Sequence, residues 1–300
     1  MPKGEPFTRL CQNLNQSRLH SRADLHIHSN HSDGIWDPSC IPHLANHAGV
    51  SAISITDHDT MAAYAGMDMN NSPVQILPGV EITTSFQSRV LHLLAYFPTG
   101  GWINTEAFLK QNQETRKRRF KEMLAGLIQS KSIQEDGQLE QMRVQSESTS
   151  HTMGSRHLAQ ILVNQKKARN ISQAVWKYLK NMPERQADWP ETDTAIATVK
   201  DSGGITFVAH PAESLDFESF KFLKNKGLDG IEVEYPDFTQ RRKQKLAENA
   251  KSLGLLHSGG SDCHGDGNRT IGMATISFLE LEKIKACGNV NDVPSDIRQA

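Results

Sequence analysis

Short apolar runs that end in histidine or aspartate recur along this 300-residue chain, and they constrain the fold more than any other feature. The first run, residues 24–28, reads DLHIH. Side chains alternate between the two faces of a β-strand, so His26 and His28 point to the same side and can bind one ion together. Asp33 follows on the next loop. Because α/β folds place their reactive groups at the carboxyl ends of strands, we expect these residues to line such an end.

Five further runs carry a potential metal ligand at or near their ends. An unpartnered buried polar group costs roughly 1–3 kcal/mol. A shared metal cluster would supply a partner for six of the thirteen histidines, those at positions 26, 28, 58, 92, 210 and 264. Pro211 follows one of them and stops strand pairing there. The ligand candidates in the later runs are His58, Glu81, His92, His210, Asp262 and His264.

Composition limits the class of protein. A hydrophobic content of 37% is sufficient for a substantial core, and a net charge of −1 gives no general attraction to nucleic acid or to anionic membranes. The four cysteines form no C-x-x-C pair, which argues against a zinc ribbon and a disulfide framework. A polar first segment and the lack of an 18-residue apolar run predict a cytoplasmic protein without a membrane partner. No obligate protein partner is evident.

Strand-like runs alternate with helical patterns along most of the chain. Helices are expected at 38–48, 192–202, 215–226 and 238–253, and the alternation predicts parallel strands joined by right-handed crossovers. Asp37 and Pro38 would begin the first helix and Gly49 would end it. Residues 101–189 read as a helical insertion, with a mobile loop at 130–152.

The ordered motifs resemble the polymerase and histidinol phosphatase (PHP) family of metal-dependent phosphoesterases. The resemblance extends from about residue 24 to about residue 272. Asp33 and the segment Ile231-Glu232-Val233 are most similar to the branch that hydrolyses nucleoside 3′,5′-bisphosphates and short RNA from its 5′ end. The matching motifs are His26-x-His28, Ser32-Asp33-Gly34, Thr56-Asp57-His58-Asp59, Gly79-Val80-Glu81, His92, Ala209-His210-Pro211 and Ser261-Asp262-x-His264.

This resemblance implies an α/β fold, a distorted (β/α)7 barrel with a helical cap. The expected division is a polar extension at 1–22, a first barrel part at 23–100, the cap at 101–189, a second barrel part at 190–288 and a tail at 289–300. It also implies two or three divalent ions. Their expected ligands are, ion by ion, His26, His28, Glu81 and Asp262; Asp33, His58 and His264; and Glu81, His92 and His210.

Imidazole and carboxylate ligands suit Mn²⁺, Fe²⁺ or Zn²⁺ better than Mg²⁺ or Ca²⁺. A hydroxide held between two such ions would attack phosphorus in line with the scissile bond. The candidate catalytic residues are His58, Asp262 and His264. Either His264 or a metal-bound water would protonate the leaving group.

Candidate substrate-binding residues lie in the expected cap. Arg116 and Arg119 share one helix face in the basic run 116–121, although a solvated helix face explains the same pattern. Relatives often read Gly-Arg-Pro-His or Ser-Arg-Thr-His where this chain reads GSRH, so Arg156 stands one residue late and Ser155 takes the usual position of the arginine.

Asp57 and Asp59 flank His58 in sequence. Each is a candidate for orienting an imidazole, and Asp59 is equally a candidate for capping the following helix.

Three functions are compatible with the sequence. The first is removal of the 3′-phosphate from a nucleoside 3′,5′-bisphosphate, with trimming of short 5′-phosphorylated RNA as an associated activity. The second is a small-metabolite phosphatase, such as one for histidinol phosphate. The third is a non-catalytic scaffold stabilised by metal, which an open site with several ions disfavours.

Overall fold

The computed structural model describes residues 22–147, 151–180, 182, 188–267 and 269–290, with the backbone alone for 289 and 290. Most of the predicted amino-terminal extension and tail therefore lies outside the described residues. The strands are β1 (Arg22–Ile27), β2 (Ala52–Ile55), β3 (Gln75–Ile76), β4 (Gly79–Phe86), β5 (Arg89–Tyr96), β6 (Ile205–Val208), β7 (Gly230–Glu234), β8 (Leu256–Gly259) and β9 (Ile276–Ser277). The helices are α1 (Ile41–His47), α2 (Glu106–Gln129), α3 (Gly137–Ser146), α4 (Ser155–Asn164), α5 (Ile171–Ala174), α6 (Thr192–Asp201), α7 (Phe217–Asn225), α8 (Gln240–Leu253) and α9 (Phe278–Val290).

The strands pair into two sheets. One has the order β3-β2-β1-β9, and the other has the order β4-β5-β6-β7-β8. Strands β1 to β3 are parallel, as are β6 to β8, whereas β5 is antiparallel to both of its neighbours. The expectation of parallel strands is therefore wrong at β5. Gln87 and Ser88 adopt φ angles of 49° and 61°, and a two-residue turn of this kind returns the chain directly into a hairpin.

Two isolated bridges connect the sheets. Ile27 at the end of β1 pairs with Cys263 beyond β8, and His58 beyond β2 pairs with Glu81 in β4. Among the described residues, the continuous ladders form two sheets without a closed barrel. The fold is thus mixed α/β, and the (β/α)7 barrel stays a prediction.

Helices cover the outer faces of both sheets. Ile196 of α6, Phe220 of α7 and Leu246 of α8 are buried against the five-stranded sheet, and Ile41 of α1 is buried against the four-stranded sheet. A separate apolar cluster is formed entirely within residues 120–179, from helices α2 to α5 and the connections between them. This segment has a core of its own, while the predicted domain boundaries stay predictions.

The predicted start of the first helix is wrong, whereas its predicted end is confirmed. Helix α1 begins at Ile41 and not at Pro38, because Asp37 caps a preceding turn through the Ser39 N–H at 2.9 Å. Gly49, at φ 71°, follows the helix as predicted.

The segment 130–152 contains α3 and is not simply a loop. Asp136 begins this helix by accepting the Leu139 N–H at 2.9 Å. No helix among the described residues is long and apolar enough to cross a membrane. The cytoplasmic location stays a prediction.

Candidate metal centre

The carboxylate of Glu81 lies at the centre of a group of histidines. It is fully buried in β4. Its Oε2 lies 3.4 Å from Nε2 of His26, 3.2 Å from Nε2 of His28 and 3.2 Å from Nδ1 of His58. Its Oε1 lies 2.9 Å from Nδ1 of His92 and 2.9 Å from Nε2 of His210. One carboxylate therefore contacts five imidazoles, three through one oxygen and two through the other.

Asp33 and Asp262 complete the group. Asp33 Oδ1 lies 3.2 Å from Nε2 of His264, and its Oδ2 lies 3.7 Å from Nε2 of His58. Asp262 Oδ1 lies 3.1 Å from Nε2 of His28. The structure thus brings all nine predicted metal ligands together where the two sheets meet. Seven of them lie near or beyond the carboxyl ends of strands, whereas Glu81 and His92 lie within β4 and β5, so the expectation of strand ends is wrong for these two.

The distances define four overlapping groups of three potential ligand atoms, each within 4.8 Å. Glu81 belongs to two of them, which agrees with a bridging role. His264 groups with Asp33 and His28. The division of ligands among individual ions stays a prediction. The groups are His26, His28 and Asp262; His26, Glu81 and His210; His28, Asp33 and His264; and His28, His58 and Glu81.

The unused lone pairs fit divalent cations. Six buried side-chain atoms of this group have no hydrogen-bond partner, and each faces another potential ligand. Such atoms cost about 1–3 kcal/mol each unless a partner is present. An imidazole and carboxylate set with this geometry is suited to first-row divalent ions. The six atoms are His26 Nε2, His28 Nε2, Asp33 Oδ1, His58 Nδ1, Glu81 Oε2 and His92 Nδ1.

Burial and mutual charge shift the pKa values within the centre. Burial opposes ionisation of Glu81, but the imidazoles of His58 and His92 hold its pKa well below the usual range. Burial likewise opposes charge on His28, yet the nearby carboxylates of Asp262 and Glu81 raise its pKa to about 10. Burial lowers the pKa of His58 well below its usual value, and the nearby Arg116 guanidinium contributes. The centre therefore combines a carboxylate that stays ionised, Glu81, with one imidazole whose pKa is raised, His28, and one whose pKa is lowered, His58.

Glu232 supports the centre from outside, and sequence reasoning gave it no role. This fully buried residue of β7 accepts the Nδ1–H of His26 at 2.9 Å through Oε1. Its Oε2 accepts the backbone N–H of His210 at 2.5 Å. One carboxylate thus orients two predicted ligands. The available sequence signal was a glutamate placed between Ile231 and Val233 in β7.

Asp57 acts on the centre indirectly. It accepts the backbone N–H of Ser29 at 2.8 Å and also accepts the hydroxyl of Ser32, which lies 3.3 Å from Nδ1 of His28. The expected contact between Asp57 and an imidazole therefore runs through a serine.

Asp59 connects the sheet to α2. It accepts the Thr83 N–H at 2.8 Å, the Asn112 amide at 2.8 Å and the Arg116 Nη2–H at 2.7 Å. The following 3₁₀ turn begins after Met61, so the expected helix-capping role of Asp59 is wrong.

Backbone strain concentrates at this centre. Asp59, His210 and Asp262 adopt φ angles of 55°, 22° and 49°, in the region that non-glycine residues rarely occupy. Such conformations persist where the surrounding structure holds them and are frequent at functional sites.

The candidate substrate-binding residues have different positions. Arg116 forms an ion pair with Asp59, and Arg119 is buried. Arg156 contacts Asp266, on the loop beyond His264, and thereby joins α4 to the edge of the metal centre. Ser155 is half-buried at the first position of α4. Their roles in binding substrate stay predictions.

The rest of the basic run forms ion pairs at the surface. Lys117 lies 2.7 Å from Glu147, and Arg118 lies 4.0 Å from Glu122. For these two residues, the structure favours the solvated helix face.

A cavity of about 900 Å³ adjoins the centre. It lies between residues 60–65, α2 and residues 151–153, and Trp102 and Lys110 line it. Thr152 also lines the cavity and donates its hydroxyl to the backbone carbonyl of His58 at 2.8 Å. The cavity is thus linked to the metal centre through the backbone of His58, although none of the residues that line it is a predicted ligand.

Comparisons with known proteins agree with this geometry. No family model matches the chain. The chain is 29% identical over 256 residues to a 5′-3′ exoribonuclease of Haemophilus influenzae, across 80% of this chain and 89% of that protein. It is 28% identical over 250 residues to a phosphoribosyl 1,2-cyclic phosphate 1,2-diphosphodiesterase of Eggerthella lenta, across 81% and 94%. It is 27% identical over 270 residues to a 3′,5′-nucleoside bisphosphate phosphatase of Chromobacterium violaceum, across 83% and 90%.

A solved structure also matches a metal-dependent phosphoesterase. A protein of Bifidobacterium adolescentis assigned as a metal-dependent phosphoesterase matches with a TM-score of 0.79 and 27% identity, across 92% of this chain and 98% of that one. Fold and site together define a metal-dependent phosphoesterase. Within that class, the resemblance to the PHP family, and to its nucleotide-hydrolysing branch, is confirmed by the relatives.

Proposed function

We propose that the protein removes the 3′-phosphate from nucleoside 3′,5′-bisphosphates, giving the 5′-monophosphate and phosphate, and that it also shortens 5′-phosphorylated RNA. The observation that carries this proposal is the set of unpartnered ring nitrogens and carboxylate oxygens around Glu81. The names of the Haemophilus and Chromobacterium relatives support this substrate class.

We further propose that two or three ions, Mn²⁺, Fe²⁺ or Zn²⁺, occupy the centre, on a distorted (β/α)7 barrel capped by residues 101–189. When bound, they would activate water as a nucleophile and take up charge on the phosphoryl oxygens. The chain fixes which nitrogen each imidazole offers. His26 donates Nδ1–H to Glu232, and His264 donates Nδ1–H to the Asp262 carbonyl at 2.9 Å, so both present Nε2 to the centre. This arrangement favours His264 as a ligand over His264 as the acid for the leaving group.

The cap supplies the remaining recognition in this proposal. Arg156 and Ser155 lie at the start of α4, and Arg156 reaches the loop beyond His264. The cavity beside Thr152 has room for the nucleotides that follow the scissile phosphate.

A second candidate is hydrolysis of a ribosyl cyclic phosphate, which the Eggerthella relative favours through its similarity across 94% of its own length. The same metal centre would serve, because both reactions need a positioned nucleophile and neutralised phosphoryl oxygens.

The test is product analysis with Mn²⁺-loaded protein on four substrates: adenosine 3′,5′-bisphosphate, a 5′-phosphorylated RNA pentamer, phosphoribosyl 1,2-cyclic phosphate and histidinol phosphate. Free phosphate is the product from the first and the last. Nucleoside monophosphates are the product from the RNA. A ribose bisphosphate, formed when water opens the cyclic diester to a monoester, is the first product from the cyclic ester. The His58→Ala variant removes a predicted ligand, while His47→Ala makes the same change on an exposed residue of α1.

Turnover of the first two substrates, lost in His58→Ala and kept in His47→Ala, is the expected result. Turnover of only the cyclic ester or only histidinol phosphate would replace the substrate claim. Failure on all four with metal bound would refute it.

A further inference from the structure

Among the predicted metal ligands, and within the residues that the structure describes, Asp262 is the carboxylate whose second oxygen accepts from an arginine. Asp262 lies beyond β8, and its backbone adopts a φ angle of 49°. Oδ1 faces Nε2 of His28 at 3.1 Å, and Oδ2 points away from the histidines. A carboxylate on a loop can rotate, so its orientation depends on what holds Oδ2.

Two donors hold that oxygen. The hydroxyl of Tyr235 donates to Asp262 Oδ2 at 2.8 Å, and Nη1 of Arg269 donates to the same atom. Neither residue was singled out from the sequence. Tyr235 follows β7, and Arg269 lies seven residues beyond Asp262, so only the folded chain brings the three together.

Arg269 is itself fixed on several sides. Its guanidinium lies over the Tyr235 ring at 4.7 Å from the centroid, and its Nη2 donates to Asp237 at 2.5 Å. Its backbone carbonyl accepts the thiol of Cys263 at 3.0 Å. Both terminal nitrogens thus face carboxylates, and the backbone is tied to the residue next to Asp262.

We propose that Arg269, with Tyr235, is a positioning residue that keeps Asp262 a one-oxygen ligand of the metal centre. This inference rests on the proposed metal-dependent function. With Oδ2 occupied by two donors, only Oδ1 is available to an ion. Loss of Arg269 removes one of the two donors to Oδ2 and the cation that balances the carboxylate. Loss of such an outer partner typically lowers metal affinity about 10–100-fold.

A substrate anchor would be built differently. An arginine that recognises phosphate needs a free pair of N–H groups on one side of the guanidinium. The two Nη atoms of Arg269 are instead directed at Asp262 and Asp237.

The test compares full-length Arg269→Gln with Arg241→Gln, which makes the same change on an exposed arginine of α8. Mn²⁺ affinity is measured by chelator competition with metal analysis, and KM for adenosine 3′,5′-bisphosphate is measured at saturating Mn²⁺. Arg269→Gln is expected to bind one class of ion about 10–100-fold more weakly, with KM unchanged. Tyr235→Phe removes one of the two donors and keeps the ring, so its loss of affinity is expected to be smaller.

Mn²⁺ affinity of Arg269→Gln equal to that of Arg241→Gln would overturn the inference. So would a raised KM at unchanged Mn²⁺ affinity, because that result places Arg269 on the substrate. If Arg269→Gln does not fold, Tyr235→Phe decides by the same criterion. If the parent protein binds no divalent ion, the proposed metal centre fails first and the inference fails with it.

Discussion

The imidazole of His26 lies between two carboxylates that have different tasks. Glu232 accepts its Nδ1–H at 2.9 Å, whereas Glu81 faces its Nε2 at 3.4 Å. The first contact is a hydrogen bond that sets the tautomer. The second places an oxygen and a nitrogen lone pair side by side, as ligands of one ion would be. Glu232 therefore holds His26 in the tautomer whose Nε2 can bind an ion beside Glu81.

Replacing Glu232 with Gln is expected to lower metal affinity about 10–100-fold. A glutamine can donate to Nδ1 and so favour the wrong tautomer of His26, and the His210 N–H loses a charged acceptor. Metal retention against a chelator measures the effect. Glu248→Gln, on the exposed face of α8, is the matched control. Equal retention in the two variants would contradict the proposed role.

Metal binding is expected to release protons. Burial disfavours charge on His28, but the nearby carboxylates of Asp262 and Glu81 raise its pKa to about 10 in the metal-free protein. At pH 7 this ring is protonated, and an ion must displace the proton, so affinity rises with pH up to about 10. Calorimetry of Mn²⁺ binding in buffers of different ionisation enthalpy counts the protons. A binding enthalpy independent of the buffer would refute this expectation.

The residues that sequence could predict are those with a local signature. The spacing of His26 and His28 fixes a shared face because strand periodicity is two. Glu232, Tyr235 and Arg269 have no comparable signature, because their partners lie on elements distant in the chain. The metal ligands could thus be predicted from the sequence, whereas the residues that orient them could be identified only from the folded structure.

At the scale of elements, the connection between α2 and the sheets depends on Asp59. This fully buried carboxylate pairs with Arg116, which is itself largely buried. Helical periodicity predicted which residues of α2 share a face, and it left Arg116 as either a candidate substrate-binding residue or part of a solvated helix face. The pairing with Asp59 could not be anticipated, because it joins positions 57 residues apart.

The Asp59→Ala variant is expected to lose about 3–5 kcal/mol of unfolding free energy, because it leaves the Arg116 charge buried without its partner. Chemical denaturation measures the loss. Arg116→Met in the Asp59→Ala background is expected to recover part of it, since the unpaired charge is then gone. Additive losses in the double variant would show that the two residues are not coupled.

Local sequence signals explain why some elements were misassigned. The polar composition of residues 130–152 suggested a loop, yet Asp136 caps a helix there. The turn at Gln87 and Ser88 lacks glycine, the usual sign of a tight hairpin, so the antiparallel β4–β5 pair was not predicted. The later helices, which have clear periodicity and stop signals, were placed within about two residues.

At the scale of the whole molecule, the metal centre lies where the two sheets meet. Residues following β1 and β2 contribute from one sheet, and residues of β4, β5 and the ends of β6 and β8 contribute from the other. In the part of the chain that the structure describes, the strand pairing between the sheets at this place consists of the isolated bridges Ile27–Cys263 and His58–Glu81 and not of a continuous ladder. Bound ions would therefore connect parts of the fold that no continuous strand ladder joins among the described residues.

Removal of metal is accordingly expected to destabilise the seam between the sheets more than the cluster within residues 120–179. An ion present at 1,000 times its dissociation constant contributes about 4 kcal/mol, so chelation lowers the melting temperature by several degrees. Amide hydrogen exchange locates the change. The His28 N–H, bonded to the Cys263 carbonyl at 3.0 Å, and the Glu81 N–H, bonded to the Asp57 carbonyl at 3.2 Å, are expected to exchange faster. The Leu162 amide in α4 serves as the internal reference. Uniform acceleration across all of these amides would contradict a local seam and would place the effect of the ions on the entire fold.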